Sequence, residues 1–122
     1  MAKLLTIDDE VEFTALIQGY FGARGYEVVI ANSGEIGLKL AKEIKPDICL
    51  IDLKMPGMHG DEVLKEILSI HPQTKCIMIT ASEGEEKTRN YLMRLGAYTC
   101  FDKPLTSLRD LEEAIKKALS GK

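Results

Sequence analysis

Asp8, Asp9, Asp52, Thr80 and Lys103 each stand at or just beyond the end of a short apolar run. The runs are Leu4–Ile7, Ile48–Ile51, Ile77–Ile79 and, less cleanly, Cys100–Phe101. Three carboxylates brought together repel one another and stay comfortably ionised only with a cation among them. Oxygen donors select a hard ion, and a few carboxylates with open positions suit Mg²⁺ shared with a phosphate. A lysine ammonium acts as a point charge for phosphate oxygens, and a threonine hydroxyl donates to another. A carboxylate can itself be the nucleophile that takes a phosphoryl group while a metal neutralises the transition state. These are the parts for making an aspartyl phosphate.

Each residue alone has a plainer reading. Asp8–Asp9 caps a helix and complements its dipole, although a cap needs only one acid. Asp52 is a turn residue, Thr80 an N-cap, Lys103 a solvated loop lysine before Pro104. Their joint occurrence at four of five strand ends is what favours a site. Other chemistries lack their parts. The two histidines, His59 and His71, fall in turns, so no Ser/His/Asp triad is spelled out. Gly22 and Gly25 come at a helix end and not at the opening of one, so no glycine-rich nucleotide loop is present.

The elements that must position these residues follow from the apolar pattern. Strands are expected at Lys3–Ile7, Glu27–Ala31, Ile48–Asp52, Lys75–Thr80 and Thr99–Asp102. The third is almost wholly apolar, as for a central strand covered on both faces. Helix one is expected over about Glu10–Arg24, with Phe13, Leu16, Ile17, Tyr20 and Phe21 on one face and Gly25 as its stop. Helix two follows an N-cap at Ser33, turns Ile36, Leu40 and Ile44 inward and ends before Lys45–Pro46. A loop from Leu53 to His59 leads to helix three, Gly60–Ile70, with Val63, Leu64, Ile67 and Leu68 as its stripe. Helix four is expected from Glu83 to Leu95, closed by Gly96. Helix five is expected from Ser107 to Leu119, with Leu108, Leu111, Ile115 and Leu119 inward.

Strict alternation of this kind predicts an α/β fold with an all-parallel sheet and helices on both faces. Right-handed crossovers leave few topologies, and a flavodoxin-like doubly wound order 2-1-3-4-5 fits. That order sets strands one and three side by side, so Asp8–Asp9 and Asp52 flank the switch point where ligands bind.

At 122 residues the chain is expected to be one domain with a proper core, residues 1–122, with no linker or further domain in view. Its 45% hydrophobic and 29% charged residues are those of an ordinary globular protein. A net charge of −3 and the lack of a long basic run leave no footprint for direct nucleic-acid binding. The three cysteines, Cys49, Cys76 and Cys100, all fall in strands, an odd count that fits neither a disulfide framework nor a zinc site and suits a reducing compartment. No signal peptide and no membrane-length apolar run is seen, so the expected location is cytoplasmic.

With these residues in place, the chain resembles the receiver (phosphoacceptor) domains of two-component response regulators. The resemblance rests on Asp8–Asp9 after strand one, the stretch from Asp52 to Gly60 with Lys54, Pro56 and Gly57, Thr80–Ala81 after strand four, and Gly96–Ala97 leading to Lys103–Pro104. It implies that Asp52 accepts a phosphoryl group from a histidine kinase or a histidine phosphotransfer protein. It also implies that Asp9, Asp52 and the Lys54 carbonyl ligate Mg²⁺, with Asp8 acting through a water on the metal. Thr80 and Lys103 would bind the phosphoryl oxygens, Lys103–Pro104 would be cis, and the output would be a downstream protein partner or output domain. The chain departs from the family at Cys100, where an aromatic residue usually turns inward as the threonine moves. Tyr98 is expected on the same strand face, about 6–7 Å further from the site, and Phe101 on the opposite face.

Two rival readings fit less well. A Mg²⁺-dependent phosphohydrolase of the haloacid-dehalogenase type needs an acid two residues after its nucleophile, and Lys54 stands there. A pseudo-receiver that only binds partners tends to lose the acid pair or the lysine, and both are kept.

Overall fold

The apolar runs become strands because strands buried on both faces must be apolar throughout. The structure is a computed structural model and describes residues 1–81 and 85–121. In chain order its elements are β1 (Lys3–Ile7), α1 (Val11–Gly22), β2 (Glu27–Ala31), α2 (Gly34–Ile44), β3 (Ile48–Ile51), α3 (Gly60–Ile70), β4 (Lys75–Thr80), α4 (Glu86–Leu95), β5 (Thr99–Asp102) and α5 (Leu108–Leu119). All strand pairs are parallel, in the order β2-β1-β3-β4-β5. The expected order is therefore the observed one. The expected start of the fourth helix at Glu83, like Ser82, Gly84 and Lys122, lies outside the described residues.

Two apolar layers cover the sheet. On one face Leu5, Ile7, Cys49, Ile51, Cys76, Met78 and Cys100 meet Ala41, Val63, Leu64, Ile67 and Leu92 from α2, α3 and α4. On the other, Leu4, Ile48, Leu50, Ile77 and Ile79 meet Ile17, Phe21, Leu111, Ile115 and Ala118 from α1 and α5. All three cysteines are buried and free.

Several expected inward residues are not buried. Leu16 is 50% exposed and lies at the rim of a groove with Phe13, Leu105 and Leu108, while Thr14 takes an inward place on α1. Ile36 is 52% exposed, because α2 buries its small residues instead, Gly37 against Ile7 of the sheet, Gly34 against Met58 and Val63, and Ala41 in the core. A Cβ on Gly37 would lie 2.6 Å from Ile7 Cδ1, so only glycine lets the helix come this close. Leu119 is likewise 38% exposed, and Ala118 occupies the buried position. Tyr98 does not share the Cys100 face. It precedes β5, where strand alternation has not begun, and packs with Phe101 in the α1/α5 layer. Helix α1 also ends two residues before Arg24, at Gly22.

Candidate functional site

The sheet register builds the site. Ile7 pairs with Ile51, so the next residues, Asp8 and Asp52, stand beside each other at the adjoining ends of β1 and β3. The Asp52 N–H donates to Ile7 O at 3.0 Å, and the Asp8 N–H donates to Ala31 O at 3.0 Å, which carries the pairing one residue past each strand. From the β2–α2 loop, Asn32 Nδ2 donates to Asp8 O at 2.8 Å. The start of α3 presses on the backbone of Asp52: a Cβ on Gly60 would sit 2.0 Å from Asp52 O. The glycine that ends the Asp52–Gly60 stretch is thus required by contact.

Asp8, Asp9 and Asp52 each offer a carboxylate oxygen within 4.8 Å of the other two. Asp8 is 1% and Asp52 6% exposed, while Asp9 faces solvent. Burial, followed by the charge of Asp8, pushes the Asp52 carboxyl up to about 6, against the lowering pull of Lys103. Burial likewise raises Asp8, opposed by its bond to Lys103. The Lys103 Nζ stands 2.6 Å from Asp8 Oδ2, 2.5 Å from Glu10 Oε1 and 3.7 Å from Asp52 Oδ2. Burial works against this ammonium, but its acidic partners prevail and its pKa is raised.

Thr80 closes the arrangement from β4. It is 2% exposed, and its Oγ1 has no hydrogen-bond partner among the described residues. A buried hydroxyl left unbonded is costly, and at this strand end the Thr80 hydroxyl is available to donate to a ligand. The Thr80 carbonyl accepts from the Lys103 N–H at 3.0 Å, so the ends of β4 and β5 are tied, and the Lys103–Pro104 bond is cis. Lys54 is exposed and lines a cleft of about 250 Å³ with Asp9, Glu10, Asp52, Ala81 and Lys103. Cys100 is apart from these groups: it is 8% exposed, in the apolar layer beneath α4 with Met78 and Leu92.

The structure thus brings together Asp8, Asp9, Asp52, Lys54 and Lys103, with the unbonded Thr80 hydroxyl at the neighbouring strand end, and leaves Cys100 outside. The donor set suits a hard cation, since every free donor is oxygen and the mutual repulsion that raises Asp52 is what a cation relieves. Glu10 was missed by sequence reasoning, although an acid directly after Asp8–Asp9 was a visible signal. Arg89, whose Nη1 donates to Cys100 O at 3.1 Å, carried no signal at all.

Comparison with known proteins gives a consistent result. The sequence pattern of the response regulator receiver domain matches residues 4–116. The chain is 34% identical over 117 residues to sporulation initiation phosphotransferase F of Bacillus subtilis, covering 96% of this chain and 93% of that protein. It is 35% identical to the response regulator GacA of Pseudomonas aeruginosa, covering 99% of this chain but 56% of that one. It spans about half the length of such larger relatives, and a quarter of the regulatory protein AtoC of Escherichia coli. Among solved structures, a response regulator receiver domain protein from Methanospirillum hungatei superposes with a TM-score of 0.93 at 29% identity, covering 99% of this chain and 95% of that one.

Proposed function

We propose that this chain, which belongs to the response regulator receiver domain family, is a switch that Asp52 operates by accepting and losing a phosphoryl group. The observation that carries the reading is the buried Asp52 carboxylate between two further acids and the Lys103 ammonium, 3.7 Å away. The name of the Bacillus subtilis relative, a phosphotransferase, supports it.

The donor is a phosphohistidine on a histidine kinase or a histidine phosphotransfer protein. An Asp52 Oδ attacks phosphorus, the P–N bond breaks, and its electron pair stays on the departing imidazole, which takes a proton. Mg²⁺ held by Asp9, Asp52 and the Lys54 carbonyl, with Asp8 acting through a water on it, would supply positive charge to offset that gathering on the transferred group. Lys103 supplies a second charge, and Thr80 Oγ1 donates a hydrogen bond to a phosphoryl oxygen. In the reverse sense, water attacks phosphorus, the P–O bond to Asp52 breaks, and phosphate leaves. The chain catalyses only this change in itself. Its net charge of −3 argues against contact with a nucleic-acid backbone, so the signal passes to a protein partner or an output domain, in the cytoplasm.

Acetyl phosphate with Mg²⁺ should add one phosphoryl group, read by intact mass, and Asp52→Asn or metal removal should abolish it. An adduct that persists in Asp52→Asn contradicts the assignment.

A further inference from the structure

Lys103 is shared unequally among its acids. Its Nζ lies at hydrogen-bonding distance from Glu10 (2.5 Å) and Asp8 (2.6 Å), but 3.7 Å from Asp52. The last separation is too long for a hydrogen bond, so the ammonium stands beside the acceptor carboxylate without bonding to it. The two partners that hold it differ. The Asp8 side chain is 2% exposed and belongs to the acid cluster. The Glu10 side chain is 63% exposed and stands outside that cluster.

Glu10 also occupies the extended N-cap position of α1, where a short polar side chain ordinarily accepts from the helix's first N–H groups. It makes no such bond. Its own N–H donates to Asp8 Oδ1 at 2.9 Å, and its carboxylate reaches a lysine 93 positions along the chain. The Phe13 ring, its centroid 4.6 Å from Nζ, flanks the ammonium. A cation among the three aspartates would draw on the charge of Asp8. Glu10 would then be the anion outside the cluster still holding Lys103.

We propose that Glu10 is a positioning residue: it keeps the Lys103 ammonium off Asp52 in the resting protein and competes for it with phosphoryl oxygens arriving there. This rests on the reading of Asp52 as phosphoacceptor. The incoming group must break the Glu10–Lys103 pair before Lys103 contributes fully, so the exposed acid sets how readily the phosphorylated state forms.

The test titrates wild type, Glu10→Gln and Glu12→Gln with trifluoroberyllate, a mimic of a carboxyl-bound phosphoryl group, at saturating Mg²⁺. The Lys103 Nζ chemical shift is recorded in the ligand-free proteins. Glu10→Gln should bind the mimic about three- to fivefold tighter, the scale of one ion pair to an exposed acid, and should shift the Lys103 resonance. Glu12 is an exposed acid on the same helix, and the ion pairs of Lys103 among the described residues are with Asp8, Glu10 and Asp52, so Glu12→Gln should match wild type on both readouts. Equal or weaker binding by Glu10→Gln, or an equal gain in Glu12→Gln, overturns the proposal. If wild type itself fails to bind the mimic, the phosphoacceptor reading falls and this proposal with it.

Discussion

The β1/β3 end of the sheet and helix α4 lie on either side of Thr80 and are held by different forces. Asp8 and Asp52 follow strands of which β3 is wholly buried and β1 nearly so. Fully burying one such aliphatic side chain is worth about 1.5–3 kcal/mol. Helix α4 buries a single residue, Leu92. Leu95 packs partly buried against the same core, and two polar links add to the attachment: Arg89 Nη1 donates to Cys100 O at 3.1 Å, and Tyr91 Oη donates to Asp61 Oδ2 at 2.8 Å. Each such link contributes roughly 0.5–1.5 kcal/mol. The acids are therefore built on the more deeply buried frame, and α4, with fewer buried contacts, is the neighbouring piece expected to shift at the smaller cost.

The rigid side breaks where backbone meets backbone. Gly60→Ala, whose Cβ would stand 2.0 Å from Asp52 O, should lose ~3 kcal/mol or more in urea unfolding. Gly19→Ala on α1 meets nothing within 4 Å and should gain about 0.5–1 kcal/mol. Similar costs at both positions would mean the α3–Asp52 contact is not tight.

Charge tests the same frame. With Asp52 raised to about 6 in the metal-free protein, against 3.8 ordinarily, the folded state binds more protons than the unfolded state between those values. Stability should then fall as pH rises from about 4 to about 6, on the order of 2–3 kcal/mol from this group. Asp52→Asn should flatten that slope. At neutral pH, Mg²⁺ should restore about 1.4 kcal/mol at tenfold excess over a millimolar site. Asp9→Ala should lose most of that response while melting higher without metal. Equal Mg²⁺ responses would remove Asp9 from the site.

How much was legible in the sequence follows the same division. The strands, their order and the acids at their ends could be read, because fully buried strands spell themselves as apolar runs and end in a change of residue type. The inward face of α2 could not, since close approach selects Gly34, Gly37 and Ala41, which apolar periodicity passes over in favour of Ile36. Tyr98 was placed by extending strand alternation into a residue before β5. Glu10 and Lys103 meet across 93 positions, a contact that only the fold creates.

The smallest effect concerns α4. Tyr91→Phe should cost roughly 0.5–1 kcal/mol and speed amide exchange in α4 while leaving β1 and β3 unchanged.

The measurement that tests the division most directly is amide exchange on the whole chain, with and without trifluoroberyllate and Mg²⁺. Protection should change most in α4, around Arg89 and Tyr91, and little in β1 and β3, and Asp52→Asn should show no change. If the largest changes instead fall in Thr99–Asp102 while α4 stays as it was, the division between a firm β1/β3 end and a yielding α4 is contradicted.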